Sequence, residues 1–343
     1  MHGFDLIQGQ PLALALLTTL LGKGRIPHAL IFAGIDGIGK QMTAMTFAMA
    51  CNCLDPLPYP ASRAVPEAPR VNPCEQCRNC RRIRSGNHPD ILHLEPSGGM
   101  IRIAAIRDLI RRLAVKPHEQ GRRVVLIAEA HSMNAEAGNA LLKLLEEPPH
   151  NTHLILTARQ VSDLLPTIAS RGQQIRFSPL NQDVLAALLM DNEGLGAADA
   201  AAAGALAGGS YTRALAMAQE GWIPKRRWLA AEISRLGDRP TAVMLALAEK
   251  LAAGKAQLPD ALAWLLSWYR DLLVYPDQPE QVLNRDLDRE LHQAVTGADR
   301  QARLDGMQAI YRALKALQQN ANPRLTMESL VLQLAALQGP RAK

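Results

Sequence analysis

The chain has 343 residues, of which 48% are hydrophobic and only 4% aromatic. This length suits two or three domains, and the many alanine and leucine residues predict a mostly helical protein. The formal net charge of +6 permits an acidic partner such as nucleic acid, although a solvated basic surface explains it equally well. The sequence lacks an apolar run of about 18 residues and does not begin like a signal peptide, so we expect a cytoplasmic protein with no membrane contact.

The first 178 residues alternate between helix and strand patterns. Strands are predicted at five apolar runs, which are 29–33, 91–94, 123–129, 153–158 and 173–177. Helices are predicted between and before them, at 7–24, 42–50, 103–115, 132–147 and 161–170. Strands that alternate with helices in this way predict an α/β domain with a parallel sheet.

After residue 179 the sequence shows no strand pattern. Residues 181–219 form an alanine-rich helical pattern, and roughly five or six further helices are predicted from residue 221 to the end. We therefore expect a core at 1–178 that carries an insert at about 53–84. A small helical domain at 179–219 and a second helical domain at 220–343 would follow it.

A glycine-rich turn follows the first predicted strand. It contains Gly34, Gly37, Gly39 and Lys40, with the spacing G-x-x-x-x-G-K of a phosphate-binding loop. The backbone N–H groups of such a loop cradle a phosphate, and its lysine reaches the outer phosphates. The next residue should be Ser or Thr, whose hydroxyl holds Mg²⁺, but here it is Gln41.

The acidic element expected of such a site is also altered. A working ATPase of this type ends a buried strand in Asp-Glu, in which the Asp supports Mg²⁺. Here the strand that starts at residue 123 ends in Ala128 and Glu129. Both magnesium-organising positions, Gln41 and Ala128, are thus changed, and we expect that the chain does not hydrolyse ATP. Glu129 is then simply a carboxylate at a strand end.

The five cysteines of the chain lie in one short region, which indicates a metal site rather than a disulfide framework. Cys74, Cys77 and Cys80 form a C-x₂-C-x₂-C motif on one turn. A structural zinc ion needs four ligands, so the fourth must come from Cys51 or Cys53. An iron–sulfur cluster and free buried thiols are the alternatives.

The turn Ser170-Arg171-Gly172 lies between the last short helix and the last predicted strand. An arginine at the rim of the sheet can project into a neighbouring molecule, where it would stabilise charge on a γ-phosphate. From the spacing alone, an ordinary surface arginine explains Arg171 equally well.

These features together resemble the bacterial clamp-loader branch of the AAA+ proteins. The resemblance includes Arg-Ile-Pro-His-Ala at 25–29, the phosphate loop, His-Pro-Asp at 88–90 and Asn-Ala-Leu-Leu-Lys-Leu-Leu-Glu-Glu-Pro-Pro at 139–149. It covers residues 1–215 closely. It implies a RecA-like AAA+ core with a zinc-binding insert, a helical lid domain and an all-α collar domain for oligomer contacts.

Within this branch, the missing Ser/Thr and Asp make the chain similar to the δ′ family rather than to the motor subunits. The resemblance implies four zinc ligands, which are Cys53, Cys74, Cys77 and Cys80. It also places Arg171 at the family's arginine finger, which completes an ATP site on an adjacent subunit, although the usual Ser-Arg-Cys is Ser-Arg-Gly here. The sensor arginine of the second domain falls on Thr212. The phosphate loop at Lys40 would be degenerate.

The implied function is that of a non-hydrolysing subunit in a hetero-oligomeric ring with motor (γ/τ) and δ subunits. Such a ring loads the sliding clamp on primed DNA during replication. One alternative is an ATP-hydrolysing motor subunit with an atypical magnesium site. Another is a zinc-dependent DNA-binding module that uses the arginines of the insert, which are Arg78, Arg81, Arg82 and Arg84.

Overall fold

The computed structural model describes residues 3–59, 71–119, 121–219, 221–254, 258–295 and 299–338. These residues form two compact units. The first holds the described residues up to Val184 together with Gly209–Thr212, and the second holds Leu185–Gly208 and the described residues from Arg213 onward. The predicted boundaries of three domains, including a separate lid at 179–219, stay predictions.

The first unit is built on a parallel sheet. The strands in chain order are β1 (Ala29–Ala33), β2 (Leu57–Pro58), β3 (Val71–Asn72), β4 (Ile91–Leu94), β5 (Arg123–Ile127), β6 (Thr152–Ala158) and β7 (Gln173–Arg176). In the described part of the chain, the order across the sheet is β4-β5-β6-β1-β7, and all neighbouring pairs run parallel. The fold class predicted from the sequence is therefore confirmed.

The three central strands β5, β6 and β1 are buried along their whole length. Helices cover both faces of a parallel sheet, so its inner strands read as continuous apolar runs rather than as alternating patterns. The register pairs Ala29 of β1 with Leu154 of β6, and Leu30 of β1 with Gln173 of β7. Four of the five predicted strands differ from the observed ones by one residue at most, and the strand predicted at 123–129 ends two residues earlier, at Ile127.

The helices of the first unit surround this sheet. They are α1 (Pro11–Gly22), α2 (Lys40–Asn52), α3 (Arg78–Arg84), α4 (Ile103–Leu113), α5 (Ala135–Glu146) and α6 (Pro166–Ala169). The helix predicted at 132–147 begins later, because a 3₁₀ turn occupies Ala130–Ser132 and the Asn134 side chain caps α5 by accepting a hydrogen bond from the Ala137 N–H at 2.9 Å.

Part of the predicted insert at 53–84 lies outside the described residues, since these omit 60–70. The flanking segments β2 and β3 form a short antiparallel pair that the sequence did not predict. Asn72 of β3 ties the insert to the start of the chain, because its side-chain oxygen accepts a hydrogen bond from the Phe4 N–H at 2.8 Å. The insert is thus joined to the rest of the first unit by its continuity with α2 and by this hydrogen bond.

The remaining helices are α7 (Gln182–Glu193), α8 (Ala197–Leu206), α9 (Tyr211–Gln219), α10 (Trp222–Ile233), α11 (Thr241–Ala253), α12 (Leu258–Val274), α13 (Asp288–Val295), α14 (Arg300–Gln318) and α15 (Pro323–Gln338). Six α-helices thus follow residue 221 in the described segments, in agreement with the prediction of five or six. Helix α12 is central to the core of the second unit, where the rings of Trp264 and Trp268 stack at 5.7 Å. None of the helices described is long and apolar enough to cross a bilayer.

Candidate functional site: a phosphate loop, an exposed arginine and a four-cysteine cluster

The phosphate loop connects the carboxyl end of β1 to the first residue of α2. Gly37 and Gly39 have φ angles of +76° and +93°, which side chains other than glycine rarely tolerate. Lys40 is the first residue of α2. The strand, glycine turn and helix predicted from the spacing are therefore all present.

The Lys40 side chain bends back onto the loop that carries it. Its Nζ donates hydrogen bonds to the carbonyl oxygen of Gly34 and, at 2.7 Å, to that of Ile35. It also lies 3.6 Å from Oδ1 of Asp36, and the side chain is only 7% exposed. Burial lowers the pKa of Lys40, and the charge of Asp36 opposes this shift. The ammonium group thus has three partners within its own loop.

Asp36 also binds a second cation. Its Oδ2 accepts a hydrogen bond from Nε of Arg159 at 2.6 Å. Arg159 follows directly after β6, the neighbour of β1 in the sheet. The sequence reasoning did not single out Asp36 or Arg159. The signal was available, because the residues after two adjacent parallel strands meet at one edge of the sheet.

The segment before and at the start of α9 lies against the same loop. The Tyr211 N–H donates a hydrogen bond to the Gly37 carbonyl at 2.8 Å. A Cβ atom at Gly37 would come within 2.1 Å of Thr212 Oγ1 and 2.4 Å of Ser210 Oγ. Thr212, which the resemblance aligns with a sensor arginine, therefore does lie beside the phosphate loop, but it brings a hydroxyl and no positive charge.

The two altered magnesium positions follow the loop and strand β5, respectively. Gln41 is exposed on the first turn of α2, and Ala128 is buried directly after β5. Glu129 is exposed in the left-handed backbone region, with a φ of +48°, and its N–H donates to Thr157 Oγ1 at 3.0 Å. An amide and a methyl group thus stand where a hydroxyl and a carboxylate would bind Mg²⁺.

Arg171 lies between α6 and β7, at the amino end of the parallel strands, whereas the phosphate loop lies at their carboxyl end. Arg171 precedes β7, whereas Gly34 follows the parallel strand β1 and lies beside Phe177. The chain from Arg171 to Phe177 spans up to about 20 Å at the rise of an extended strand. The structure therefore does not bring Arg171 together with Lys40.

The Gly172 that replaces the usual cysteine of the motif has a packing reason. A Cβ atom at this position would lie 2.7 Å from the side chain of Ile31. The turn that carries Arg171 therefore packs directly on strand β1. Its position relative to the sheet is fixed by this contact.

The second cluster consists of cysteine sulfurs. The Sγ atoms of Cys53, Cys74, Cys77 and Cys80 all lie within 4.8 Å of one another. Sulfur ligands at about 2.3 Å in tetrahedral geometry are themselves about 3.8 Å apart, so these four residues could hold a zinc ion. Cys51 is not part of this cluster, and burial raises the pKa of its thiol to about 12.

Backbone donors surround the sulfurs. The N–H groups of Cys74, Cys77 and Cys80 point to the Sγ atoms of Cys53, Cys74 and Cys77 at 3.3, 3.3 and 3.5 Å. Burial disfavours the Cys77 thiolate, but hydrogen bonds from the N–H groups of Cys80 and Leu54 and from the side chains of Cys80 and Cys74 together outweigh it and lower the pKa of Cys77 to about 6. Backbone N–H groups that stabilise a thiolate favour binding of a soft cation.

The fold and these sites define a class of protein. The strand order β4-β5-β6-β1-β7, a phosphate loop after β1 and a strand-end acid after β5 agree with the RecA-like AAA+ core that the resemblance implies. Two family models also match the chain. The model described as "DNA polymerase III, delta subunit" matches residues 9–181, and "DNA polymerase III, delta subunit, C terminal" matches residues 221–336.

Full-length relatives point to the same family. DNA polymerase III subunit delta' of Pseudomonas aeruginosa is 32% identical over 337 residues, which cover 95% of this chain and 97% of that protein. The delta' subunit of Bacillus subtilis is 29% identical, with 95% of this chain and 96% of that protein covered. The chain therefore belongs to the DNA polymerase III subunit delta' family.

Similarity to curated motor-type relatives covers about half of the chain. Subunit tau/gamma of Haemophilus influenzae is 30% identical over 176 residues, which cover 51% of this chain and 24% of that protein. This similarity shows that about half of the chain is related to the motor type. The delta' relatives of Pseudomonas aeruginosa and Bacillus subtilis each match along 95% of the chain, which favours the delta' assignment over the motor assignment.

Proposed function

We propose that this chain is a non-hydrolysing subunit of a DNA polymerase III clamp loader, and that it inserts Arg171 into the ATP site of an adjacent ATPase subunit. In this role the chain helps to load the sliding clamp on primed DNA. Its partners would be the motor (γ/τ) and δ subunits of a hetero-oligomeric ring. The arginine would stabilise the charge that develops on the γ-phosphate of the neighbour.

One observation carries the proposal. Arg171 lies at the opposite end of the parallel strands from the phosphate loop of its own chain, so any nucleotide that it contacts belongs to another molecule. Its side chain is 36% exposed and is therefore reachable by a partner. An arginine in trans is worth about 10³–10⁵ in rate where it has been measured.

The state of the phosphate loop supports the absence of hydrolysis. Lys40 is engaged by Gly34, Ile35 and Asp36, and the residues at the two magnesium positions are Gln41 and Ala128. A nucleotide would have to displace these contacts and would find no hydroxyl or Asp carboxylate at the metal positions. We therefore propose that the chemistry takes place only on the neighbour.

The four-cysteine cluster would hold a structural zinc ion. Cys53, Cys74, Cys77 and Cys80 supply four ligands, which leaves no open coordination position for a substrate. When bound, zinc would crosslink the end of helix α2 to the insert, since Cys53 directly follows α2 and Cys80 lies within α3. Its contribution is then to stability rather than to catalysis.

A reconstitution tests the proposal. The chain is assembled with its cognate motor and δ subunits, and clamp- and DNA-stimulated ATP turnover is compared for the wild type and Arg171→Ala. We expect the chain alone to be inactive and Arg171→Ala to lower turnover of the assembly. Arg107→Ala, which removes another exposed arginine of the first unit, is the matched control and should leave turnover unchanged.

Two results would contradict the proposal. If Arg171→Ala assembles normally and turns over ATP like the wild type, the arginine does not act in trans. If the chain alone hydrolyses ATP and Lys40→Ala abolishes this activity, the chain is a motor subunit with an atypical magnesium site.

A further inference from the structure

Arg171 is held by a carboxylate of its own chain. Nη2 of Arg171 lies 2.7 Å from Oε1 of Glu146, the last residue of α5. We propose that Glu146 is a positioning residue, which orders the Arg171 side chain for its contact with the neighbouring nucleotide. This inference rests on the proposed trans role of Arg171.

The guanidinium group is fixed from two sides. Nη1 donates a hydrogen bond to the Thr167 carbonyl at 2.9 Å and lies 3.4 Å from Ser170 Oγ, while Nη2 faces Glu146. Both terminal nitrogens therefore have partners in the free chain. A free arginine side chain samples many rotamers, and these contacts restrict it to few.

The two partners stand on rigid elements. Glu146 ends a helix that packs closely on the segment leading to Arg171, since a Cβ atom at Gly138 of α5 would lie 2.6 Å from Leu165 Cδ1. The turn of Arg171 packs on β1 at Gly172, where a Cβ atom would meet Ile31. The distance between the carboxylate and the guanidinium is therefore set by the packing of helix and turn against the sheet.

Because the Glu146–Arg171 pair is exposed, a positioning role of Glu146 can be distinguished from a role in folding. The side chains of Glu146 and Arg171 are 49% and 36% exposed. Exposed ion pairs contribute little to folding stability, so loss of the Glu146 carboxylate should leave the first unit folded. An arginine that is already ordered loses less conformational entropy when it contacts a phosphate. The smaller entropy loss should raise the rate of ATP hydrolysis on the adjacent subunit.

A double-mutant cycle in the reconstituted assembly tests this role. The variants are Glu146→Ala, Arg171→Ala and the double variant, with Glu147→Ala as the matched control, because Glu147 is the next exposed carboxylate. We expect Glu146→Ala to lower kcat about three- to ten-fold at unchanged KM. Glu146→Gln should lower kcat less, because the amide oxygen of the glutamine still accepts a hydrogen bond from Arg171. In the Arg171→Ala background, Glu146→Ala should have no further effect.

The outcomes distinguish this inference from the function on which it rests. If Arg171→Ala itself has no effect, the trans role fails and the inference fails with it. If Arg171→Ala lowers turnover but Glu146→Ala does not, only the positioning role is wrong. A rise in kcat for Glu146→Ala, or an equal loss in the Arg171→Ala background, also overturns it. Circular dichroism and assembly on a sizing column check that each variant is folded and incorporated.

Discussion

Asp36 accepts a hydrogen bond from Arg159 across 2.6 Å, between two residues that follow adjacent parallel strands. The same carboxylate lies 3.6 Å from the Lys40 ammonium. One acid of the loop therefore binds both cations that a phosphate group would otherwise attract. The arrangement gives a direct way to ask whether the loop has kept any capacity for nucleotides.

Asp36→Asn should raise the affinity of the isolated chain for ADP. The substitution keeps the size of the side chain and removes the charge that competes with a phosphate for Lys40 and Arg159. A partly exposed charge pair of this kind contributes up to about 1 kcal/mol, which corresponds to an increase of about five-fold in affinity. Titration with a fluorescent ADP analogue measures the change.

Two further variants show whether the gain occurs at the loop. Glu136→Gln removes an exposed acid from the first turn of α5 and should not change ADP affinity. Lys40→Ala, combined with Asp36→Asn, should cancel the gain. Equal ADP affinity for Asp36→Asn and the wild type would show that the Asp36 carboxylate does not limit nucleotide binding.

The cysteine cluster predicts that substitution of Cys53, but not of Cys51, reduces zinc binding. Native mass spectrometry of the wild type should find one zinc ion per chain. Cys53→Ser should lose most of it, because it removes one of four ligands, whereas Cys51→Ser should retain it. Removal of zinc by a chelator should also lower the melting temperature of the wild type by several degrees, since metal binding and folding of the insert are coupled. Retention of zinc by Cys53→Ser and its loss from Cys51→Ser would reverse the ligand assignment.

Substitution of the buried carboxylate Asp271 should cause a large loss of stability in the second unit. Asp271 is fully buried, and its oxygens accept hydrogen bonds from the N–H groups of Leu283 and Asn284 at 2.8–3.0 Å. It also accepts from the Asn284 side chain at 2.8 Å and pairs with Arg270. Asp271→Asn places an amide among these donors, and we expect a loss of about 2–4 kcal/mol in the free energy of unfolding.

Tryptophan fluorescence during urea unfolding measures this loss selectively. The four tryptophans of the chain all lie in the second unit, at Trp222, Trp228, Trp264 and Trp268. Asp305→Asn is the control, because Asp305 accepts an exposed hydrogen bond from the Gln301 side chain on α14, and the substitution should change the free energy of unfolding by less than about 0.5 kcal/mol. A loss below 1 kcal/mol for Asp271→Asn would mean that the network tolerates the amide.

The features that the sequence predicted well depend on short stretches of chain. Strand β5 and the turn from Gly34 to Lys40 are specified by residues that are adjacent in sequence, through apolar runs and glycine positions. The convergence of an upstream cysteine on Cys74 was also predictable, because a metal site requires a fourth ligand and few cysteines are available. The choice of Cys53 over Cys51 came from the resemblance, and the cluster is consistent with it.

The features that the sequence did not predict depend on contacts between distant residues. Arg159 donates a hydrogen bond to Asp36, which lies 123 residues away in the sequence. Glu146 at the end of α5 forms an ion pair with Arg171 in the turn before β7. Charged surface residues carry no periodic pattern, so their pairings follow only from the packed positions of the elements. The bend of Lys40 onto Gly34 is a side-chain conformation, which spacing alone does not specify.

The phosphate loop and Arg171 lie at opposite ends of the parallel strands, so the two surfaces of the subunit that they mark would face different neighbours in a ring. Under the proposed trans role, each unit of a ring would act only on the neighbour that faces its arginine, so activation would run in one direction around the ring. A unit in which Asp36 binds both Lys40 and Arg159 would activate its neighbour without being activated itself. Such a unit would mark one end of the series of ATP sites.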